Sequence, residues 1–148
     1  VSGRLCSHYS RPFGRSHMSQ SVQATDERGI RVTVRSEYLA EPSSPSDQRY
    51  VFAYHIHIKN EGTRTVRLLT RHWIITNSEA SVQEIRGDGV IGEQPVLAPG
   101  EFFEYTSGTV LETPVGSMHG SYGMLDEVGE RFESPIPAFT LAVPRVLN

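Results

Sequence analysis

Strict alternation of apolar and polar residues constrains this chain more than any other feature. Ile30, Val32 and Val34 alternate with Arg31, Thr33 and Arg35; Phe52, Tyr54, Ile56 and Ile58 alternate with Ala53, His55, His57 and Lys59. A period of two sends successive side chains to opposite faces of an extended strand, so each segment buries one face and wets the other. Thr65–Asn77 (TVRLLTRHWIITN) is denser in apolar and β-branched residues and is expected to be more deeply buried. Val82–Arg86 reads as a short, more polar strand, and Phe102–Thr109, Ser117–Leu125 and Phe139–Val143 complete the set. Turn chemistry separates them: a polar loop at Glu41–Asp47, a hairpin turn at Asn60–Thr63 and a tight turn at Ala98–Glu101. No segment of ten residues or more carries a helical period. The expected fold is therefore all-β, with seven to nine short strands in a fibronectin type III or immunoglobulin-like β-sandwich, or in a small barrel. At 148 residues the chain is one domain's worth.

Residues 1–17 (VSGRLCSHYSRPFGRSH) follow neither period and contain three arginines and no acid. Ser16-His17-Met18 reads as a cloning scar before a native start, so 1–17 is expected to be a vector-derived or disordered tail and 18–148 the working domain. The single cysteine, Cys6, falls in that tail. With no second cysteine there is no internal disulfide and no Cys–Trp–Cys immunoglobulin pattern, and a cytoplasmic location is expected.

All seventeen acids follow Met18, against eleven of the fourteen bases, so residues 18–148 are acidic. Thirteen arginines with acids interspersed do not make a basic stripe, and no nucleic-acid partner is expected. No window approaches the roughly 18 uninterrupted apolar residues of a membrane helix, and no membrane partner is expected.

Three features could carry chemistry. Gly87-Asp88-Gly89-Val90-Ile91-Gly92 is a literal G-x-G-x-x-G, in which Gly87, Gly89 and Gly92 would let the backbone approach a phosphate. The helix that such a motif needs cannot follow, because Glu93-Gln94-Pro95 and Pro99-Gly100 come next, and Asp88 and Glu93 would repel a phosphate. The alternative is a glycine loop that requires positive φ or close packing. The second feature is His55-Ile56-His57, two imidazoles on one strand face about 7 Å apart, with Glu61 following. His-x-His-x-x-x-Glu is the spacing of the first cupin motif and a plausible start for a metal site. However, Arg49 stands where that motif wants glycine, and Phe103 where a third ligand should be. Otherwise these are surface histidines on a wet face. The third feature, the acidic group Asp126, Glu127 and Glu130, would need burial to separate its pKa values for catalysis. A hairpin loop suggests instead a solvated turn. The chain offers no nucleophile elbow, no H-E-x-x-H and no P-loop lysine, Lys59 being the only lysine.

The run Gly87-Asp88-Gly89-Val90-Ile91-Gly92-Glu93-Gln94-Pro95, followed by Leu97, Pro99-Gly100-Glu101, Phe103, Tyr105-Thr106-Ser107-Gly108, Leu111, Thr113-Pro114, Gly116, Met118, Gly120 and Tyr122, resembles the ApaG family, or DUF525 domain. Arg71–Thr76 and Tyr54–Asn60 fit upstream, and Gly129, Phe132, Ile136-Pro137 and Phe139 downstream, so the resemblance covers 18–148. It implies a fibronectin type III-like sandwich. It also implies a small stand-alone bacterial protein with a genetic link to cobalt resistance and magnesium efflux, encoded near a diadenosine tetraphosphatase. In eukaryotes the domain is joined to F-box and polymerase-interacting proteins, which implies a protein-binding role. The glycine motif has been proposed as a nucleotide or pyrophosphate site. The expected function is a non-enzymatic binding module without a cofactor, whose partner is an unidentified protein met by β-augmentation. Nucleotide or pyrophosphate binding at residues 87–92 is the alternative, and a phosphate ligand or divalent cation would bind weakly.

Overall fold

The computed structural model describes residues 21–144. The expectation of a foreign tail at 1–17, Cys6 included, lies outside the described residues. Nine strands follow in order: β1 (Ser21–Thr25), β2 (Ile30–Ser44), β3 (Arg49–Asn60), β4 (Val66–Asn77), β5 (Val82–Asp88), β6 (Val96–Leu97), β7 (Phe102–Leu111), β8 (Val115–Asp126) and β9 (Arg131–Ala142). Among the described residues the only helical piece is a 3-10 turn at Pro45–Asp47.

The strands form two antiparallel sheets, β1-β2-β3-β7 and β5-β4-β8-β9, with β6 on the β5 side of β4. Two face-packed sheets, not a closed barrel, bury the alternating residues. The seven long strands divide three and four, and β5 pairs with β4 rather than joining β7. An immunoglobulin constant domain puts the strand after its third on the opposite sheet, so this arrangement is the fibronectin type III-like one.

The core includes the residues the alternation singles out in β2 and β3. Ile30, Val32, Val34 and Ile58 are fully buried, and Phe52 and Ile56 nearly so. Each such side chain contributes about 1.5–3 kcal/mol by leaving water. Trp73 sits at the centre, 5.2 Å from the Tyr54 ring and edge-on to Phe139 at 5.9 Å. Tyr105 from β7 and Tyr122 from β8 meet hydroxyl to hydroxyl at 2.6 Å across the two sheets, so both buried polar groups are satisfied.

Three segments differ from the sequence expectation. First, β4 is not uniformly buried. Val66, Leu68, Trp73 and Ile75 face the core, while their neighbours are partly wet. Leu68 and Trp73 are an odd number apart, and a bulge between Leu68 and Thr70 switches the parity so that both point inward. Second, β9 begins at Arg131 although Pro135 and Pro137 lie within it. It is an edge strand, where a missing N–H costs the ladder nothing. Third, the expected loop from Glu41 is largely strand. β2 continues to Ser44, where the Ser43 hydroxyl donates to the Leu39 carbonyl and accepts from the Val51 N–H across an irregular register.

Three of the hairpins share one turn chemistry. Asp26, Asn77 and Asp126 each use Oδ1 to accept two N–H groups, from the residues two and four positions on. The fourth residue of each turn has positive φ: Gly29 at 89°, Ala80 at 66° and Gly129 at 89°. A short side-chain acceptor closes the turn, and glycine supplies the left-handed step in two of the three.

Candidate functional site

The glycine run lies where β5 leaves the sheet. Val90 and Glu93 exchange two N–H···O bonds of 2.8 Å, and the residues between them, Ile91 and Gly92, have φ of 41° and 79°. Positive φ at both central positions marks a two-residue type I′ hairpin turn. The Gly89 N–H donates to the Leu69 carbonyl at 2.7 Å, so the N–H groups of Gly89, Val90 and Glu93 all point into the protein's own backbone. A Cβ on Gly89 would lie 2.4 Å from the Glu93 carbonyl oxygen, and one on Gly87 would lie 2.7 Å from the guanidinium carbon of Arg71. Gly92 meets no such neighbour; its positive φ is what selects glycine.

His55 and His57 share the outer face of the first sheet, as their spacing predicts. His55 Nδ1 lies 2.9 Å from Thr106 Oγ1, and Nε2 lies 3.0 Å from Glu37 Oε1. His57 stacks on Phe102 at 4.9 Å, with Glu104 3.8 Å from its Nε2. Burial, the larger effect, pulls the His57 pKa below 6.5 against the pull of Glu104. Glu61, the third member of the cupin-like spacing, is held by Arg31 at 3.1 Å. His72 belongs to the other sheet, where its Nε2 lies 2.6 Å from Glu84. Among the described residues, no three His, Cys, Asp or Glu side chains gather as a metal ion requires.

Asp126 is not solvated, contrary to the sequence expectation. Its side chain is 1% exposed and is met by Arg64 at 3.1 Å and Arg28 at 3.3 Å. The Glu130 backbone N–H, then the Arg64 guanidinium and the Val128 N–H, hold its carboxyl below the usual aspartate range. Arg28 also lies over the Phe132 ring, 4.2 Å from its centroid. These groups line a groove of about 430 Å³ at one end of the sandwich, between the β1–β2, β3–β4 and β8–β9 turns. Within it the Arg28 and Arg64 guanidiniums are paired with the Asp126 carboxylate.

At the side of the sandwich where β7 and β5 form the edges, the chemistry is different. Arg71 on β4 stands opposite Gly87 on β5 and Tyr122 on β8, on the same strand face as Trp73. Its Nη1 donates to the carbonyls of Asp88 at 3.0 Å and Gly89 at 2.9 Å. Its charge reaches the hydroxyls of Tyr54, Tyr105 and Tyr122. Burial, the dominant effect in each, pushes all three phenols up, so they stay protonated and neutral. Sequence reasoning missed Arg71. An arginine in a dense apolar strand looks like a wet-face residue until the bulge at Leu69 sets the parity.

Beside this cluster, β7 pairs with β3 alone among the described strands. Asn60 N–H donates to the Glu101 carbonyl. Antiparallel alternation from that point directs the N–H groups of Thr106, Gly108 and Val110 away from β3.

Comparison with known proteins agrees with the resemblance. A family model described as the ApaG domain matches residues 40–126. A protein named ApaG from Rhodospirillum centenum is 62% identical over 117 residues, which is 79% of this chain and 90% of that protein. One from Shewanella sp. (strain MR-4) is 50% identical over 127 residues, covering 86% of this chain and all of the relative. The crystal structure of a Bordetella pertussis protein described as ApaA superposes with a TM-score of 0.78 at 50% identity, over 83% of this chain and all of that one.

Proposed function

The chain belongs to the ApaG family, and on that footing we propose that it is a non-enzymatic binding module that receives an extended segment of a partner protein along β7. The observation that carries this reading is the character of the sheet edges. Natural edge strands are blunted by prolines, by charge or by short length. β1 has five residues, β5 carries Glu84, Arg86 and Asp88, and β9 carries Pro135 and Pro137. β7 has ten residues, rich in β-branched and aromatic side chains, with no proline, no lysine or arginine and one acid, Glu104. It is the long edge strand left without these protections, and main-chain pairing along it would add a fifth strand to the first sheet. In this reading a link to cobalt and magnesium handling runs through the partner bound there.

The test is selection of a phage-displayed random decapeptide library on the intact protein, followed by amide hydrogen exchange with a selected peptide. Alternating sequences should emerge, and exchange at Thr106, Gly108 and Val110 should slow. Peptides that bind while leaving those amides unchanged would refute the β7 site. The nucleotide or pyrophosphate alternative would take its place if pyrophosphate shifted only the Gly87–Gly92 amides and no peptide emerged.

A further inference from the structure

We infer that the segment received at β7 is selected for an inward-facing acidic side chain, whose carboxylate pairs with Arg71. The inference rests on the β7 reading and names the chemistry of the partner. Its first ground is the state of the arginine. Arg28, Arg31, Arg64 and Arg86 each have a carboxylate partner. Arg71 is half-buried between the sheets and makes no ion pair among the described residues; its Nη1 donates to two neutral carbonyls, those of Asp88 and Gly89. A half-buried charge is stabilised much more by an anion than by amide dipoles. The neighbouring phenols supply no such anion, since burial keeps them protonated.

The second ground is position. Tyr105 of β7 touches Tyr122 of β8, so at this level β7 stands over β8. Arg71 is in register with Tyr122, one strand further out on β4, and Gly87 is one further still on β5. A strand added beside β7, about 4.8 Å away, continues the first sheet over β4 and β5. Its inward side chains at the level of Tyr105 would therefore face the Arg71 guanidinium. The sheets pack about 10 Å apart, a gap that an arginine and a glutamate side chain together span. Gly87 keeps the approach clear, because the guanidinium lies where a side chain at 87 would stand.

The experiment takes one selected peptide that slows exchange along β7 and prepares it with Glu and with Gln at the inward position. Affinities are measured for the unaltered protein, for Arg71→Gln and for Arg86→Gln, an exposed neighbour on β5. Urea midpoints establish that each variant is folded. The Glu peptide should bind the unaltered protein and Arg86→Gln about 10- to 100-fold more tightly than the Gln peptide, the range of a hydrogen bond to a charged group. In Arg71→Gln that preference should vanish. Absence of the preference on the unaltered protein overturns the inference even if Arg71→Gln does not fold. Peptides that protect β7 without preferring Glu, or that keep the preference in Arg71→Gln, would overturn this inference and leave the β7 reading standing. Loss of β7 protection itself would overturn both. If inorganic pyrophosphate binds at Arg71 and no peptide does, the site takes small anions, and the inference fails.

Discussion

At the scale of single residues, three non-glycine positions among the described residues stand in left-handed backbone, Gln48, Ala80 and Ile91, and the last two lie in turns that favour glycine or asparagine there. Ala80 has φ of 66° in a turn whose two counterparts use glycine, and Ile91 has φ of 41° in a type I′ turn. Left-handed backbone costs an L-residue roughly 1–2 kcal/mol. Ala80→Gly relieves that cost but frees the unfolded chain, an offset of about 0.5–1 kcal/mol. Ile91→Asn creates the Asn-Gly pair that such turns favour, and Ile91 is 54% exposed, so little burial is lost. Each substitution should raise unfolding stability by roughly 0.5–1 kcal/mol, read from the urea midpoint. A drop in either variant would mean that the native side chain makes contacts worth more than the strain. The sequence pattern shows the glycines but not these two positions, since nothing in a lone alanine or isoleucine announces a positive φ.

At the scale of elements, the turns and bulges decide what the strands can do. Asp126 closes the β8–β9 turn through Oδ1 and binds Arg64 and Arg28 through Oδ2. Its pKa is depressed in the fold below 3.8. The unfolded state therefore takes up the proton first as pH falls, and stability is lost. The contribution is full above the ordinary aspartate value and disappears as pH falls through the lower folded value. Asp126→Asn keeps the turn acceptor and removes the charge. The stability gap between the native protein and this variant should be present at neutral pH and close on acidification toward pH 2–3, followed by denaturant unfolding across that range. Parallel curves would show that the arginine pairs contribute nothing. The sequence placed Asp126 in a hairpin correctly and misjudged its exposure, because Arg28 and Arg64 come from turns 98 and 62 residues away.

At the scale of the whole molecule, hairpins of consecutive strands are tied together by the distant pairings β3–β7 and β4–β8, and two sheets share one core built around the chain's single tryptophan. Trp73 is 2% exposed and packed between Tyr54 and Phe139. Its emission should be blue-shifted in the native state. It should also lose that shift at the same urea concentration at which far-UV dichroism is lost, because neither sheet can keep its buried face without the other. Sandwiches of this kind pair distant segments and fold in milliseconds to seconds, and stopped-flow Trp73 fluorescence should show one phase in that range. Separate transitions by the two probes would mean that one sheet persists without the other.

Alternation by itself determined the core-facing residues of β2 and β3. Side-chain period depends only on backbone geometry, so Ile30, Val32, Val34, Phe52, Ile56 and Ile58 could be assigned inward from the sequence alone. Family membership was equally legible, from a long run of residues in register. Tertiary structure alone decided which strands became edges, which left β7 without a second neighbour and allowed prolines in β9. It alone decided that a bulge at Leu69 would turn Arg71 inward over Gly87. It also gathered Arg28, Arg64 and Asp126 at one end. The reason is common to all three. Period and propensity act over a few residues, whereas edges, charge partners and the parity after a bulge depend on segments that meet only when the two sheets close.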